Sequence, residues 1–195
     1  MGQYFENFDL KSEITELKVK LFDILFSFNT DNGVFSKERL DFGTRVLLEN
    51  IPLEKLKGSI LDVGCGYGAI SIILSKLTDC ECEGIDINKR AVHLANMNIK
   101  KNKVENVTFY ESNCYSSVNK KYNYIITNPP IRAGKKIVYE IILGAKDYLL
   151  DDGKLFFVIR KDHGMKSLLR DMGSTYETEI IGKDNGFFVI CCTLR

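Results

Sequence analysis

The chain has 195 residues, 45% of them hydrophobic and 27% charged, with a formal net charge of +1. That length suits one ordinary domain with a full core and a small appendage, and the composition excludes a disordered chain. The near-neutral balance excludes a global electrostatic case for nucleic acid, so a face for RNA has to come from local lysine and arginine clusters.

The six cysteines, at positions 65, 80, 82, 114, 191 and 192, follow no metal-ligand spacing. Cys80-x-Cys82 and Cys191-Cys192 sit in apolar, strand-like surroundings, which points to reduced, mostly buried thiols in a cytoplasmic protein. The opening Met1 to Leu10 is polar and mixed in charge, unlike a signal peptide, and no apolar run reaches the ~18 residues of a membrane span. Neither a metal nor a membrane partner is expected.

Residues 1–12 carry no periodic signal. From Ile14 to Phe28 apolar and polar residues alternate about Phe22-Asp23, the pattern of a small hairpin. Thr30-Asp31-Asn32-Gly33 reads as a turn, and Asp41 to Glu49 as an amphipathic helix closed by Pro52. From Ser59 strands and helices alternate. A strand up to Val63 leads into a helix over Ala69–Leu77; Glu81–Ile85 is a second strand ending at Asp86; Asn88 caps a helix to about Lys101. Strands follow at Val107–Tyr110 and Tyr122–Thr127, then a helix over Lys135–Leu150, a turn at Asp151-Asp152-Gly153 and a strand Lys154–Ile159. A last helix opens at Asp162 or His163, and Asn185-Gly186 joins two closing strands, Glu177–Lys183 and Phe187–Thr193, as a hairpin. The expected fold is α/β, with a mainly parallel sheet closed by an antiparallel hairpin. We expect one domain over 1–195, an N-terminal hairpin extension over 1–35 preceding a catalytic core over 36–195.

The strand at Ile60–Val63 ends in alternating glycines, Gly64-Cys65-Gly66-Tyr67-Gly68, a tight strand-to-helix turn. Glycine tolerates the positive φ of such turns and lets a ligand approach backbone. Gly64-x-Gly66-x-x-Ala69, with Asp86 about 20 residues on, fits a nucleotide-like cofactor, and alone it separates neither a nicotinamide dinucleotide from S-adenosylmethionine. Asp86 serves the ribose hydroxyls of either, or simply caps the next helix. Asp62 tips the balance: an acid there meets an ammonium, which S-adenosylmethionine carries, and repels a pyrophosphate.

Asn128-Pro129-Pro130-Ile131 ends the strand at Tyr122–Thr127, where α/β folds bind ligands. Proline fixes its own φ and extends the residue before it, so Asn128 and Pro129 are held rigid. The Asn128 side-chain oxygen and the Pro129 carbonyl then form a pair of acceptors suited to a conjugated amino group. Accepting both its hydrogens turns the nitrogen lone pair toward an electrophile. The bland alternative is a structural turn.

Asp62-Val63-Gly64-Cys65-Gly66-Tyr67-Gly68, Gly84-Ile85-Asp86-Ile87-Asn88, Glu111-Ser112-Asn113 and Asn128-Pro129-Pro130-Ile131 together resemble class I S-adenosylmethionine-dependent methyltransferases. With Gly33-Val34-Phe35-Ser36-Lys37 and Asp41-x-Gly43-Thr44, the resemblance narrows to the small-domain N-methyltransferase group that includes bacterial small-subunit (16S) ribosomal RNA guanine-N2 methyltransferases. It covers residues 30–195 and implies a Rossmann-like, seven-stranded sheet. It also implies that Gly64, Cys65, Gly66 and Gly68 line the methionine part of the cofactor with Asp62 near its amino group. Asp86 and Ile87 would meet the ribose, Asn113 and Cys114 the adenine, and Phe35 and Ser36 would close from the N-terminal side. Asn128 to Ile131 would hold the acceptor. Relatives acting on nucleobases often carry an aromatic residue where Ile131 stands; Phe35 is a candidate to stack on the base instead. Arg132 and Lys135 flank this loop and are candidates for RNA phosphates, whereas Lys100, Lys101, Lys103, Lys120 and Lys121 read as solvated faces. His93 and His163 read as packing or surface residues, and no general base is assigned. Rival readings are a protein-glutamine N-methyltransferase, a catalytically silent binding module of the same fold, and a nicotinamide oxidoreductase.

Overall fold

The structure, a computed structural model, describes residues 10–195; the first nine residues of the expected N-terminal extension lie outside the described residues. Alternation places Leu17, Val19 and Leu21 of β1 (Thr15–Leu21) and Phe26 and Phe28 of β2 (Ile24–Thr30) on one buried face of the predicted hairpin. Phe22 and Asp23 make its two-residue turn, both at positive φ.

The main sheet has seven strands in the order β5-β4-β3-β6-β7-β9-β8. Its parallel part is β5 (Val107–Glu111), β4 (Glu81–Asp86), β3 (Ser59–Val63), β6 (Tyr122–Thr127) and β7 (Leu149–Arg160); β9 (Phe187–Leu194) runs antiparallel to β7 and to the edge strand β8 (Tyr176–Asp184). The helices are α1 (Phe42–Asn50), α2 (Ala69–Leu77), α3 (Lys89–Asn102), α4 (Lys135–Gly144) and α5 (Lys166–Met172). Strands in such a layered fold are covered on both sides, and alternate residues divide the core accordingly. Ile60, Ile126, Phe156 and Val189 pack with α1, α2 and α3, while Leu61, Ile125, Leu155, Phe157 and Ile190 pack with α4 and α5. Chain order reverses at β3, which pairs with β4 on one side and β6 on the other, so a crevice opens at the carboxyl ends of these strands.

The hairpin is fastened to α3 by side-chain amides that imitate a neighbouring strand. Asn102 accepts from the Ser27 amide (3.0 Å) and donates to the Ser27 carbonyl (2.7 Å); Asn98 does the same for Asn29 (2.6 and 3.0 Å). Asn98 also donates to the Tyr67 carbonyl in the glycine loop (2.9 Å), and the Phe28 and Tyr67 rings meet at 5.5 Å. Lys101, expected on a solvated face, instead reaches Glu16 of β1 at 3.0 Å and the Asn29 side chain at 2.8 Å. Lys120 likewise pairs with Glu83.

Three boundaries differ from expectation, the first being that the turn expected at Asp151-Asp152-Gly153 falls inside β7, which begins at Leu149. The helix predicted to reach Leu150 stops at Gly144, followed by a short 3-10 turn, and Leu149 already pairs with Tyr122 in β7. Its apolar period runs on through Ala145 and Leu149, but the Tyr122 amide takes the Tyr148 carbonyl at 2.8 Å and draws the chain into the sheet. The last helix starts at Lys166, because His163 and Gly164 leave helical geometry and Gly164 has φ +80°. All six cysteines are free, five of them buried.

Candidate active site

The glycines of the β3–α2 turn divide by what surrounds them. Gly64 is exposed and Gly66 half-buried, both at positive φ; a Cβ on Gly66 would meet nothing within 4 Å, and one on Gly64 only Pro130 Cδ at 4.0 Å. These two form an open backbone cradle. Gly68 is buried, and a Cβ there would fall 2.7 Å from Phe109 and 3.1 Å from Ala95, so it serves the packing of α2 against the sheet. Cys65 is buried as well, its thiol pushed well above the ordinary range by burial and by the charges of Asp86 and Asp62.

Asp86 stands at the end of β4. One carboxylate oxygen accepts from the Gly66 amide and the other from the Asn88 amide, each at 2.9 Å. The helix cap is instead Asn88, whose side chain accepts from the amides of Arg90 and Ala91. Burial holds the Asp86 carboxyl above the usual carboxylate range, against the pull of the Asn88, Gly66 and Ile87 amides. Asp62 lies beneath the loop at 0% exposure. Ser71 Oγ of α2 donates to one of its oxygens at 2.9 Å, and the other oxygen is buried without a partner. Burial pushes this carboxyl up to about 7; the bonds from Ser71 oppose the shift and the nearby Asp86 charge adds to it. Asp62 therefore has no surface with which to touch a ligand directly in this conformation. Burial and the Asp86 charge both oppose its ionisation, and a cation over the loop would favour the ionised form whereas a pyrophosphate would not.

The expected neighbours gather around this turn. Asn88 Nδ2 donates to the Gly33 carbonyl (3.1 Å) and Arg90 to the Asn32 carbonyl (2.8 Å), fixing the loop that carries Phe35 and Ser36 against the start of α3. Phe35 is 49% exposed, and Ser36 sits at φ +59° with its hydroxyl on the Arg39 carbonyl. Ile87 is exposed. After β5, Ser112 bonds to the Cys114 carbonyl and the Ser117 amide, leaving the Asn113 side chain at the surface. Cys114 is half-buried, its thiol pushed up to about 11 by burial and by Glu140.

The loop after β6 meets this turn across the crevice. Thr127 Oγ1 donates to the Val63 carbonyl at 2.7 Å, both residues buried, so the two loops share one anchor. Asn128 Nδ2 donates to Asp41 Oδ2 (2.8 Å) and to Thr44 Oγ1 (2.9 Å). Asp41 is the N-cap of α1, accepting the Thr44 amide at 2.9 Å. With both amide hydrogens consumed on that side, the Asn128 oxygen is left as the acceptor facing away from α1. Pro129 is buried, and the Pro130 carbonyl accepts from Ala133, winding Ile131–Ala133 into a 3-10 turn. Ile131 is half-buried against the α4 side of the core and lines a cleft of about 220 Å³ with Lys135, Val138, Tyr139, Ile159 and His163. Arg132 is exposed; Lys135 is 4.0 Å from Asp171 and lies over the Tyr139 ring. His93 and His163 are both exposed. Asp41 and Thr44 are absent from the residues assigned to the site by sequence, although Asp41-x-Gly43-Thr44 before a helix is a visible capping signal.

Among the described residues, no group of three or more His, Cys, Asp or Glu side chains comes together to hold a metal, and no helix is long and apolar enough to cross a membrane. The family model of the methyltransferase small domain matches residues 25–191. An uncharacterized protein of Bacillus subtilis, YbxB, is 38% identical over 191 residues, covering 96% of this chain and 95% of that protein. The ribosomal RNA small subunit methyltransferase C of Psychromonas ingrahamii is 33% identical over 168 residues, 84% of this chain but 47% of its own length. A solved T. thermophilus 16S rRNA N2 G1207 methyltransferase (RsmC), in complex with AdoMet and guanosine, superimposes with a TM-score of 0.83 at 22% identity over 95% of this chain and 52% of that one. The chain thus spans about half the length of the ribosomal RNA methyltransferases it matches, and the likeness to the solved structure is one of fold. By its motifs, its sheet and the family match over residues 25–191, the chain belongs to the methyltransferase small-domain family.

Proposed function

We propose that the chain is an S-adenosylmethionine-dependent N-methyltransferase acting on an exocyclic amino group of a nucleobase, guanine N2 in small-subunit ribosomal RNA. The observation that carries this reading is the fixed Asn128 amide: its nitrogen is bonded to Asp41 and Thr44, which leaves its oxygen as the acceptor, on a loop whose Pro130 lies next to Gly64 of the cradle. An oxygen there recognises a hydrogen-bond donor, as an amino group is. The relatives named as small-subunit ribosomal RNA methyltransferases support the choice of acceptor, and the residues present suit the cofactor. Gly64 and Gly66 leave backbone open to contact, and Asp62, with one buried oxygen lacking a partner, would gain from a positive group above the loop that favours its ionised form.

S-adenosylmethionine supplies, when bound, a methyl group on a positively charged sulfur. Gly64, Gly66 and Asp86 are the residues that would hold it, with Phe35, Ser36, Ile87 and Asn113 at the rim. The Asn128 oxygen and the Pro129 carbonyl accept the two hydrogens of the acceptor amino group, which draws the nitrogen lone pair out of conjugation. Methylation would put positive charge on that nitrogen, beside the Asn128 oxygen and the Pro129 carbonyl. The same two oxygens stabilise it until one proton leaves to solvent. No side chain is needed as a general base. Ile131 offers the base no ring, whereas Phe35 and Phe42 are 49% and 39% exposed and would be candidates to stack on it. Arg132, on the turn after the prolines, and Lys135, the first residue of α4, would meet the RNA backbone.

Methyl transfer from labelled donor to naked small-subunit RNA, to assembled small subunits and to a release factor tests the reading. Label recovered as N2-methylguanine supports it; label on a glutamine side chain, or none on any substrate, refutes it.

A further inference from the structure

Asn128 is not the last residue in the chain of command at the acceptor site. We infer that Asp41 and Thr44 are positioning residues for methyl transfer, setting which end of the Asn128 amide faces the substrate and strengthening that end as an acceptor. This rests on the N-methyltransferase reading above.

An asparagine amide is nearly symmetric in shape, and rotation by half a turn exchanges a donor for an acceptor. In a crevice open to water either orientation is populated, and the flipped one presents N–H groups that repel the hydrogens of an amino substrate. Asp41 removes the choice. Its carboxylate only accepts, so the group of Asn128 lying 2.8 Å from Asp41 Oδ2 has to be the NH₂. Thr44 Oγ1, at 2.9 Å, accepts from the same nitrogen. Asp41 Oδ2 is itself held by the Thr44 amide at 2.9 Å, so all three residues share one bond network at the first turn of α1. That turn is tightly packed: Thr44 is buried, and a Cβ on Gly43 would fall 2.9 Å from the Phe187 ring and 3.0 Å from Asp41 Oδ2. The carboxylate is half-buried at this turn and is held there by its bonds to the Thr44 amide and to Asn128. Asn128 is meanwhile fixed from the other side by two prolines and by the buried Thr127 anchor on Val63.

The arrangement has an electronic consequence as well. A negative charge bonded to the amide N–H draws the amide toward its N⁺=C–O⁻ form and leaves more negative charge on the oxygen that faces the substrate. That charge is worth most as positive charge develops on the acceptor nitrogen, so the expected loss falls on kcat rather than on donor affinity. The same geometry sets specificity: a site whose amide cannot flip takes amino groups and rejects carbonyl oxygens.

The test is a double-mutant cycle on Asp41→Asn and Asn128→Ala, read as kcat, KM for RNA and affinity for S-adenosylhomocysteine. Asparagine caps a helix as well as aspartate does, so Asp41→Asn spares α1 while removing the charge and the enforced polarity. We expect Asp41→Asn to lower kcat by about 10- to 100-fold with donor affinity within about twofold, and to lower it no further in the Asn128→Ala background. Thr44→Val should behave likewise, and Thr44→Ser should restore activity. Independent, multiplying losses in the double variant, or a wild-type kcat in Asp41→Asn where Asn128→Ala is impaired, overturns the positioning role while leaving the N-methyltransferase reading intact. A wild-type kcat in Asn128→Ala overturns both. Amide NMR gives a readout that needs no substrate: the Asn128 side-chain NH₂, identified by its loss in Asn128→Ala, should exchange slowly with solvent and speed up in Asp41→Asn. Exchange at the rate of a free amide in the wild-type protein also overturns the role.

Discussion

The hydroxyl of Thr127 donates to the carbonyl of Val63 at 2.7 Å, with both residues buried, and so joins the end of β6 to the start of the glycine turn. Distance between the two loops is thereby set by a side chain as well as by the sheet, whose β3–β6 pairing includes Asp62 with Ile126. Thr127→Val keeps the shape and removes the donor, leaving the Val63 carbonyl buried without this partner. The expected cost is about 1–3 kcal/mol, read as a lower urea midpoint at unchanged m-value. An unchanged midpoint means that the bond does not hold the loops.

Two glycines of one turn should respond differently to the same substitution. Gly66→Ala places a methyl in open space, so its cost is the positive φ alone, about 1–2 kcal/mol, while the methyl occupies the cradle. Gly68→Ala adds to that strain a 2.7 Å clash with Phe109. The first should melt near the wild-type temperature and lose its stabilisation by S-adenosylhomocysteine; the second should lose its fold first. Thermal shift with and without that ligand separates them, and a Gly66→Ala protein that still binds it contradicts the cradle.

The glycine turn, the helix cap at Asn88, the proline loop and the closing Asn185-Gly186 hairpin were all legible in the sequence, because each depends on a local backbone requirement that few residues meet. What depended on packing was hidden. Gly68 looks like Gly66 in the sequence, and only Phe109 and Ala95 distinguish them. Asp62 reads as a ligand for an ammonium, yet the sheet and α2 enclose it completely. Asp41 is far from Asn128 in the chain, and their contact exists because α1 packs on β7, β8 and β9, beside the loop that follows β6. The end of α4 is hidden in the sequence because Leu149 continues the helical period while its backbone joins β7.

Asp62 also predicts a pH dependence. Its carboxyl titrates near 7 in the folded protein and near 3.9 when unfolded. Between those values the folded state keeps a proton that the unfolded state has lost, so stability falls as pH rises through that window and levels off above it. Asp62→Asn removes this dependence. Relative to wild type, the variant should gain on the order of 2 kcal/mol between pH 5 and pH 8. Paired urea titrations at the two pH values measure it, and a stability difference independent of pH contradicts the raised carboxyl.

The amide pairing between α3 and β2 should govern the hairpin. Asn102→Ala removes both bonds to Ser27, and Asn98→Ala removes those to Asn29 and the Tyr67 carbonyl. Hydrogen exchange at the Ser27 and Asn29 amides should quicken by about tenfold or more for each variant, since a lost bond of about 1.4 kcal/mol is a factor of ten in the opening equilibrium. Only Asn98→Ala should also alter donor affinity, through Tyr67. Equal protection in the variants means that the apolar face and the Lys101 contacts hold the hairpin without the amide pairs.

The central claim is that the Asn128 oxygen receives the amino group that is methylated, beside a separate site for the donor. Single-turnover methyl transfer by Asn128→Ala, measured alongside its affinity for S-adenosylhomocysteine, tests this most directly. The rate should fall by about 10²- to 10³-fold with donor affinity changed by no more than about threefold. A rate near wild type, or losses of equal size in rate and affinity, would contradict it.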